Sequence, residues 1–153
     1  MTNELATTGG MTAMQAAGQV ANAYAAASVF ADYTERKSEN TLAAQRADLA
    51  TFADYLCEVT VCADCPTAED LQAEPAAWHG VTHGLVAGFV RWMLARGYSI
   101  ASCNRKLSTV RVYAKLAAQA KVIDATEATL IRGVAGYGGT EGKRQDEKRT
   151  GAG

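Results

Sequence analysis

The sequence predicts an all-α protein, a compact bundle of four to five helices between flexible N- and C-terminal tails. Three observations carry this expectation. Apolar side chains recur three and four residues apart over most of the middle of the chain. No segment alternates with period two for long enough to make a strand. The 153 residues contain only 2 prolines, so little interrupts a helix. This length suits one domain, which we place at residues 22–137, with a tail at 1–21 and a linker at 138–153.

Met1–Ala21 consists largely of Ala, Thr, Gly and Gln with one charged side chain, so it can bury little and is expected to fray. A first helix near Ala23–Glu35 offers Val29, Phe30 and Tyr33 to a core. Capping side chains in Ser38-Glu39-Asn40 precede a second, in which Leu42, Gln45, Leu49, Phe52 and Leu56 share one face. Val81, Leu85, Phe89 and Trp92 repeat that spacing in a third, which Gly97 ends. Gly84 and Gly88 beside this stripe would let another helix come close, at about 1 kcal/mol each relative to Ala. A long helix follows from about Ser102 to Ala120. Asp124, with Glu127 three residues on, forms a capping-box-like start to a short helix bearing Leu130, Ile131 and Val134. Gly136–Gly153 holds six glycines and mixes Lys/Arg with Asp/Glu, as a solvated linker does.

Several function classes have no support. No apolar run approaches the roughly 18–20 residues of a membrane span, so no membrane partner is expected. Met1–Gly10 has no basic region followed by an apolar core, which argues against a secretory signal. Four cysteines without secretion read as reduced thiols in a cytoplasmic protein, with Cys57 and Cys103 as small core residues. Cys62, Cys65, His79 and His83 have nearly the spacing of a zinc finger. Glu69 stands where such a finger needs an aromatic and Pro75 interrupts it, so no metal is expected. Gly136-Tyr137-Gly138-Gly139 lacks the lysine and strand of a phosphate loop, and no cofactor is expected. Phe52, Phe89 and Trp92 lie in apolar stripes and read as core.

The net charge of −1 conceals a segregation. Ala31–Ala76 contains 10 acids and 3 bases, whereas Arg91–Ile123 contains 7 bases and no acid. Within the basic stretch, Asn104, Ser108, Arg111 and Lys115 fall within about 60° of one another on a helix. Leu107, Val110, Ala114 and Ala117 lie on one flank, Val112 and Leu116 on the other. The helix is therefore buried on most sides and presents a narrow polar ridge. Asn and Arg make bidentate contacts with base edges, and Ser and Lys suit phosphate oxygens. The ridge points to a polyanion partner.

Two runs of residues carry a resemblance. Ser38-Glu39-Asn40-Thr41-Leu42, followed by Arg46, Asp48-Leu49, Phe52 and Tyr55-Leu56, resembles the first long helix of the core-binding domain of tyrosine recombinases, the phage integrases. Phe89-Val90-Arg91-Trp92, then Gly97-Tyr98-Ser99 and Ser102-Cys103-Asn104-Arg105-Lys106-Leu107-Ser108-Thr109-Val110-Arg111, is similar to that family's later pattern. The resemblance spans about Ser28 to Tyr137. It implies a SAM-like helical domain that packs on one side of duplex DNA, while a catalytic domain closes a clamp from the other. It puts Thr41 and Arg46 near the DNA backbone. Asn104, Arg105, Ser108, Arg111 and Lys115 would line the groove-facing helix, with Ser102 and Lys106 beside them. Other recombinase protomers on the DNA are the implied protein partners.

The family's catalytic domain uses an Arg, a Lys, a His-x-x-Arg segment and a nucleophilic Tyr. His79 and His83 are followed three residues on by Thr82 and Val86, so His-x-x-Arg is absent. All six tyrosines lie in or beside the helical segments. The chain is therefore expected not to be an enzyme, but to be the DNA-binding half of a recombinase, ending where an interdomain linker begins. The alternative is a small helical interaction domain that dimerises and keeps its basic ridge in solvent.

Overall fold

The computed structural model describes residues 10–60, 64–138 and 147–148. Six α-helices and one 3₁₀ turn follow in order: α1 (Ala13–Glu35), α2 (Glu39–Thr60), α3 (Ala68–Ala73), the turn Pro75–Trp78, α4 (His83–Ala95), α5 (Ile100–Gln119) and α6 (Ala125–Arg132). The fold is all-α, as expected. Four helices are long, and α3 and α6 are short. No helix among the described residues is long and apolar enough to cross a membrane. Most of the expected linker, and the first nine residues of the expected tail, lie outside the described residues.

Helix α1 starts at Ala13, ten residues before the expected position. The cause is a capping box: Thr12 Oγ1 accepts from the Gln15 backbone N–H at 3.1 Å, and Gln15 Oε1 accepts from Thr12 N–H at 2.8 Å. Alanine-rich sequence then propagates the helix. Its first half stays exposed, including Met14, Val20 and Tyr24, and only its last turns reach the bundle, through Val29, Phe30 and Tyr33.

The core sits where α2 and α5 cross. Phe52 on α2 stacks on Trp78 at 5.6 Å and meets the edge of Phe89 at 4.9 Å. Trp78, fully buried, donates its indole N–H to Leu71 O at 2.8 Å. Tyr113 on α5 lies parallel to Trp78 at 6.5 Å and receives Phe30 and Tyr33 from α1. Phe52 and Phe89 are core residues, as their stripes predict, and Trp92 is half-buried against them. In α4 the buried face is Val86, Phe89, Val90 and Met93, rotated from the expected stripe so that Leu85 is only partly covered.

Gly88 permits the close approach expected of it. A Cβ there would lie 2.5 Å from Tyr55 Oη, which donates to Leu85 O at 2.7 Å. A Cβ at Gly84 would meet only Thr82 Oγ1, at 3.8 Å, so no such close approach occurs there. Gly97 ends α4 at φ +91°, with Tyr98 N–H reaching back to Met93 O at 3.1 Å.

Two expectations are corrected here. Cys57 is not a core thiol: it is exposed at the end of α2 and bonded to Cys65 in a disulfide. The two Cα atoms lie 5.2 Å apart, inside the range a disulfide spans. Reduced thiols throughout the chain are thus not what the fold contains, though Cys103 is a buried thiol as expected. The second correction concerns Glu127. Asp124 alone caps α6, accepting from Thr126 N–H at 3.1 Å. Glu127 instead accepts from the backbone N–H of His83 at 2.7 Å and meets its Nδ1 at 2.5 Å, capping α4 from a neighbouring helix.

Candidate nucleic-acid interface

Helix α5 carries the site, and its N-terminus is fixed by Ser99, whose Oγ accepts from the half-buried Ser102 at 3.2 Å. From there the helix lays Leu107, Val110, Ala114 and Ala117 into the core. Ser108 and Lys115 are exposed and Arg111 is half-buried on the opposite side. The polar ridge thus lies where the spacing put it.

Several of the expected DNA contacts are already engaged within the fold. Lys106 is buried, 7% exposed, and cannot meet a ligand. Its Nζ donates to Thr51 Oγ1 at 2.9 Å, lies 3.5 Å from Asp48 Oδ1 and sits 5.6 Å above the Tyr98 ring. The reason is angular: nine residues before Lys115, Lys106 lies half a turn away from the ridge. Asp48, itself 2% exposed, also takes Thr109 Oγ1 at 2.7 Å and the Arg105 guanidinium at 3.1 Å. Arg105 remains mostly exposed despite this pair, so it borders the ridge.

Asn104 faces the ridge but is bound to the chain's own backbone. Its Oδ1 accepts from Tyr137 N–H at 3.0 Å and its Nδ2 donates to Tyr137 O at 2.9 Å. The segment after α6 is thereby strapped over the first half of α5, with Gly136 directly against the Asn104 amide. Arg46 is likewise occupied, donating to Gln72 Oε1 at 2.8 Å, and Thr41 lies exposed in the first turn of α2, donating its N–H to Ser38 Oγ at 3.2 Å. Thr41 and Arg46 lie on α2, and Ser102 lies nearly half a turn round α5 from the ridge.

The acidic and basic halves of the sequence meet in part. Arg105 and Lys106 pair with Asp48, and Arg96 pairs with Glu58 while stacking over Trp92 at 4.6 Å. Arg91, Arg111, Lys115 and Lys121 make no ion pair among the described residues. Arg111 Nε is buried with no hydrogen-bond partner among the described residues, an unmet donor on the ridge. A residue that the sequence reading missed, Arg132 at the end of α6, faces Arg111 and Lys115 across the groove between the two helices. The fold supplies this cation; spacing on α5 alone could not.

Cys65 commits its sulfur to Cys57, His83 Nδ1 meets Glu127, and Cys62 lies outside the described residues. Burial pushes the Tyr113 hydroxyl above the usual phenol range, and it donates to Gln45 Oε1 at 2.9 Å. Burial raises the Tyr55 hydroxyl too, with Arg91 opposing the shift. The Glu127 carboxyl is held below the usual carboxylate range, first by the His83 backbone N–H and then by the His83 side chain.

Residues 67–121, from the cap of α3 to the end of α5, match the family model described as phage integrase, N-terminal SAM-like domain. The matched segment is a little over a third of the chain and contains the ridge helix. The second run of residues that carries the resemblance falls inside it, whereas Ser38–Leu56 falls outside. No curated protein and no solved structure matches the chain.

Proposed function

We propose that the chain is the core-binding, DNA-binding domain of a site-specific tyrosine recombinase, acting in the cytoplasm as one half of a clamp around duplex DNA. In this reading strand cleavage belongs to a separate catalytic domain, and further protomers assemble on the DNA. The observation that carries it is the α5 ridge: Ser108, Arg111 and Lys115 stand on a helix inside the matched integrase segment, without acidic partners among the described residues. Arg105 extends the ridge, since its pair with Asp48 leaves most of the guanidinium in solvent. The family match supports the recombinase context, and the charge pattern supports phosphate contact.

The test is a fluorescence-anisotropy titration of nonspecific duplex over a range of salt. With Arg105, Arg111 and Lys115 each neutralising a phosphate, log affinity should fall with log salt at a slope of about −2.7. Arg111→Ala and Lys115→Ala should each flatten the slope by about 0.9 and weaken binding. Lys106→Met should leave the slope unchanged, because that amine does not reach solvent. Salt-independent binding, or equal binding by all variants, would remove the ridge from the interface.

A self-associating interaction domain is the second reading, favoured by Met14, Val20 and Tyr24 standing exposed on α1. Light scattering separates the two: a stable dimer with no duplex affinity supports this one.

A further inference from the structure

Between α5 and α6 runs a groove of about 440 Å³ whose floor is apolar and whose rim is cationic. Val112, Ala118, Ala128 and Ile131 form the floor, while Arg111 and Lys115 stand on one wall and Arg132 on the other. No acidic side chain among the described residues lines it. We propose that this groove docks an acidic amphipathic helix from a partner protein.

The two halves of the surface select that occupant together. Small floor residues leave a shallow trough that can accept the apolar stripe of a helix, burying surface on both sides. Cations on both walls would meet carboxylates flanking that stripe, which gives steering and orientation. The buried, unpartnered Arg111 Nε marks the wall where an acceptor is missing. A nucleic-acid backbone fits the floor poorly, because phosphates set against Val112, Ala128 and Ile131 would lose hydration without new partners. Helix α1 of a second copy also fits less well, since its projecting part, Ala13–Ala25, carries no charge to match the rim, and its two acids, Asp32 and Glu35, lie at the end anchored to its own bundle. Because Arg111 and Lys115 belong to both groove and ridge, a docked acidic helix would compete with DNA.

The probes are two labelled amphipathic peptides of about 20 residues with the same leucine stripe, one flanked by Glu and the other by Lys. Anisotropy with the full chain should show saturable, salt-weakened binding of the Glu peptide and none of the Lys peptide. Arg132→Ala should reduce Glu-peptide affinity about tenfold. Ala128→Asp should abolish peptide binding, with circular dichroism to verify its fold; Arg132→Ala is a surface change that keeps the test decisive if Ala128→Asp misfolds. No binding of the Glu peptide, equal binding of both peptides, or indifference to Arg132→Ala overturns the proposal. Concentration-dependent dimerisation lost in Arg132→Ala also overturns it, assigning the groove to a second copy. Duplex titration without peptide reads the DNA function separately, so either conclusion can fail alone.

Discussion

Asp48 gathers three side chains of α5 around one buried carboxylate. It is buried on α2 and receives Arg105, Lys106 and Thr109 from successive turns of α5. Removing one partner from such a cluster leaves an uncompensated buried charge, whereas replacing the pair with apolar groups need not. Asp48→Ala should therefore cost about 3–5 kcal/mol in urea unfolding. Adding Lys106→Met to that variant should recover a substantial part, since the stranded ammonium is then gone. Asn104 has a smaller and more local role, fastening the strap through both of its amide atoms. Asn104→Ala should cost about 1–3 kcal/mol for two hydrogen bonds, and hydrogen exchange at the Tyr137 amide should quicken correspondingly. The strap was not legible in the sequence. Asn104 has the right angle on α5 to be a base-reading side chain, and nothing in a helical wheel shows that a backbone 33 residues later occupies it. Lys106 was legible: its position opposite Lys115 follows from 100° per residue, and only its place in a run of basic residues suggested exposure.

At the scale of elements, sequence periodicity located α2, α4 and α5 because each buries one face, and burial at helical spacing is what periodicity encodes. It misplaced the start of α1, which is set by a Thr12–Gln15 cap rather than by an apolar stripe. It could not pair Glu127 with His83, because that contact joins two helices 44 residues apart. The contact gives α4 an acidic cap at its positive end, where a carboxylate is favourable. Its pH dependence has a definite sign. The folded Glu127 carboxyl titrates below the ordinary value of 4.5, so its contribution is present above that value and is lost as pH falls through the depressed one. The stability difference between wild type and Glu127→Gln should be constant near neutrality and shrink as the pH drops below about 4.5. A difference that persists at low pH would mean the carboxylate charge is immaterial. The Cys57–Cys65 bond acts at the same scale, closing the loop between α2 and α3. A loop this short predicts about 2–3 kcal/mol of stabilisation on the chain-entropy account. Cys57→Ser, or thiol reductant on the wild type, should lower the unfolding midpoint by matching amounts.

For the whole molecule, the division of charge along the chain becomes a contact between layers. The acidic α2 lies against the basic α5, so three of the 7 bases between Arg91 and Ile123 meet acids of α2, and four make no ion pair among the described residues. The ridge and groove are what this neutralisation leaves over. Helix α1 is anchored to these layers only at its C-terminal end: Phe30 is 3% exposed and touches Tyr113, and Tyr33 accepts from Gln45 Nε2 at 2.8 Å. The 13 residues before Ala26 add exposed alanines and three exposed large apolar side chains but almost no core. A chain beginning at Ala26 should therefore unfold within about 0.5 kcal/mol of the full chain, the range of surface changes that touch no special feature. Its duplex affinity should be unchanged, because every ridge residue lies on α5. Phe30→Ala in the full chain should cost about 3–5 kcal/mol, as deletion of a buried ring does. Parallel thermal unfolding of the two variants distinguishes an anchored, projecting helix from one that braces the bundle: a large loss on truncation would show that the first half of α1 packs against something the monomer does not display, such as a second copy.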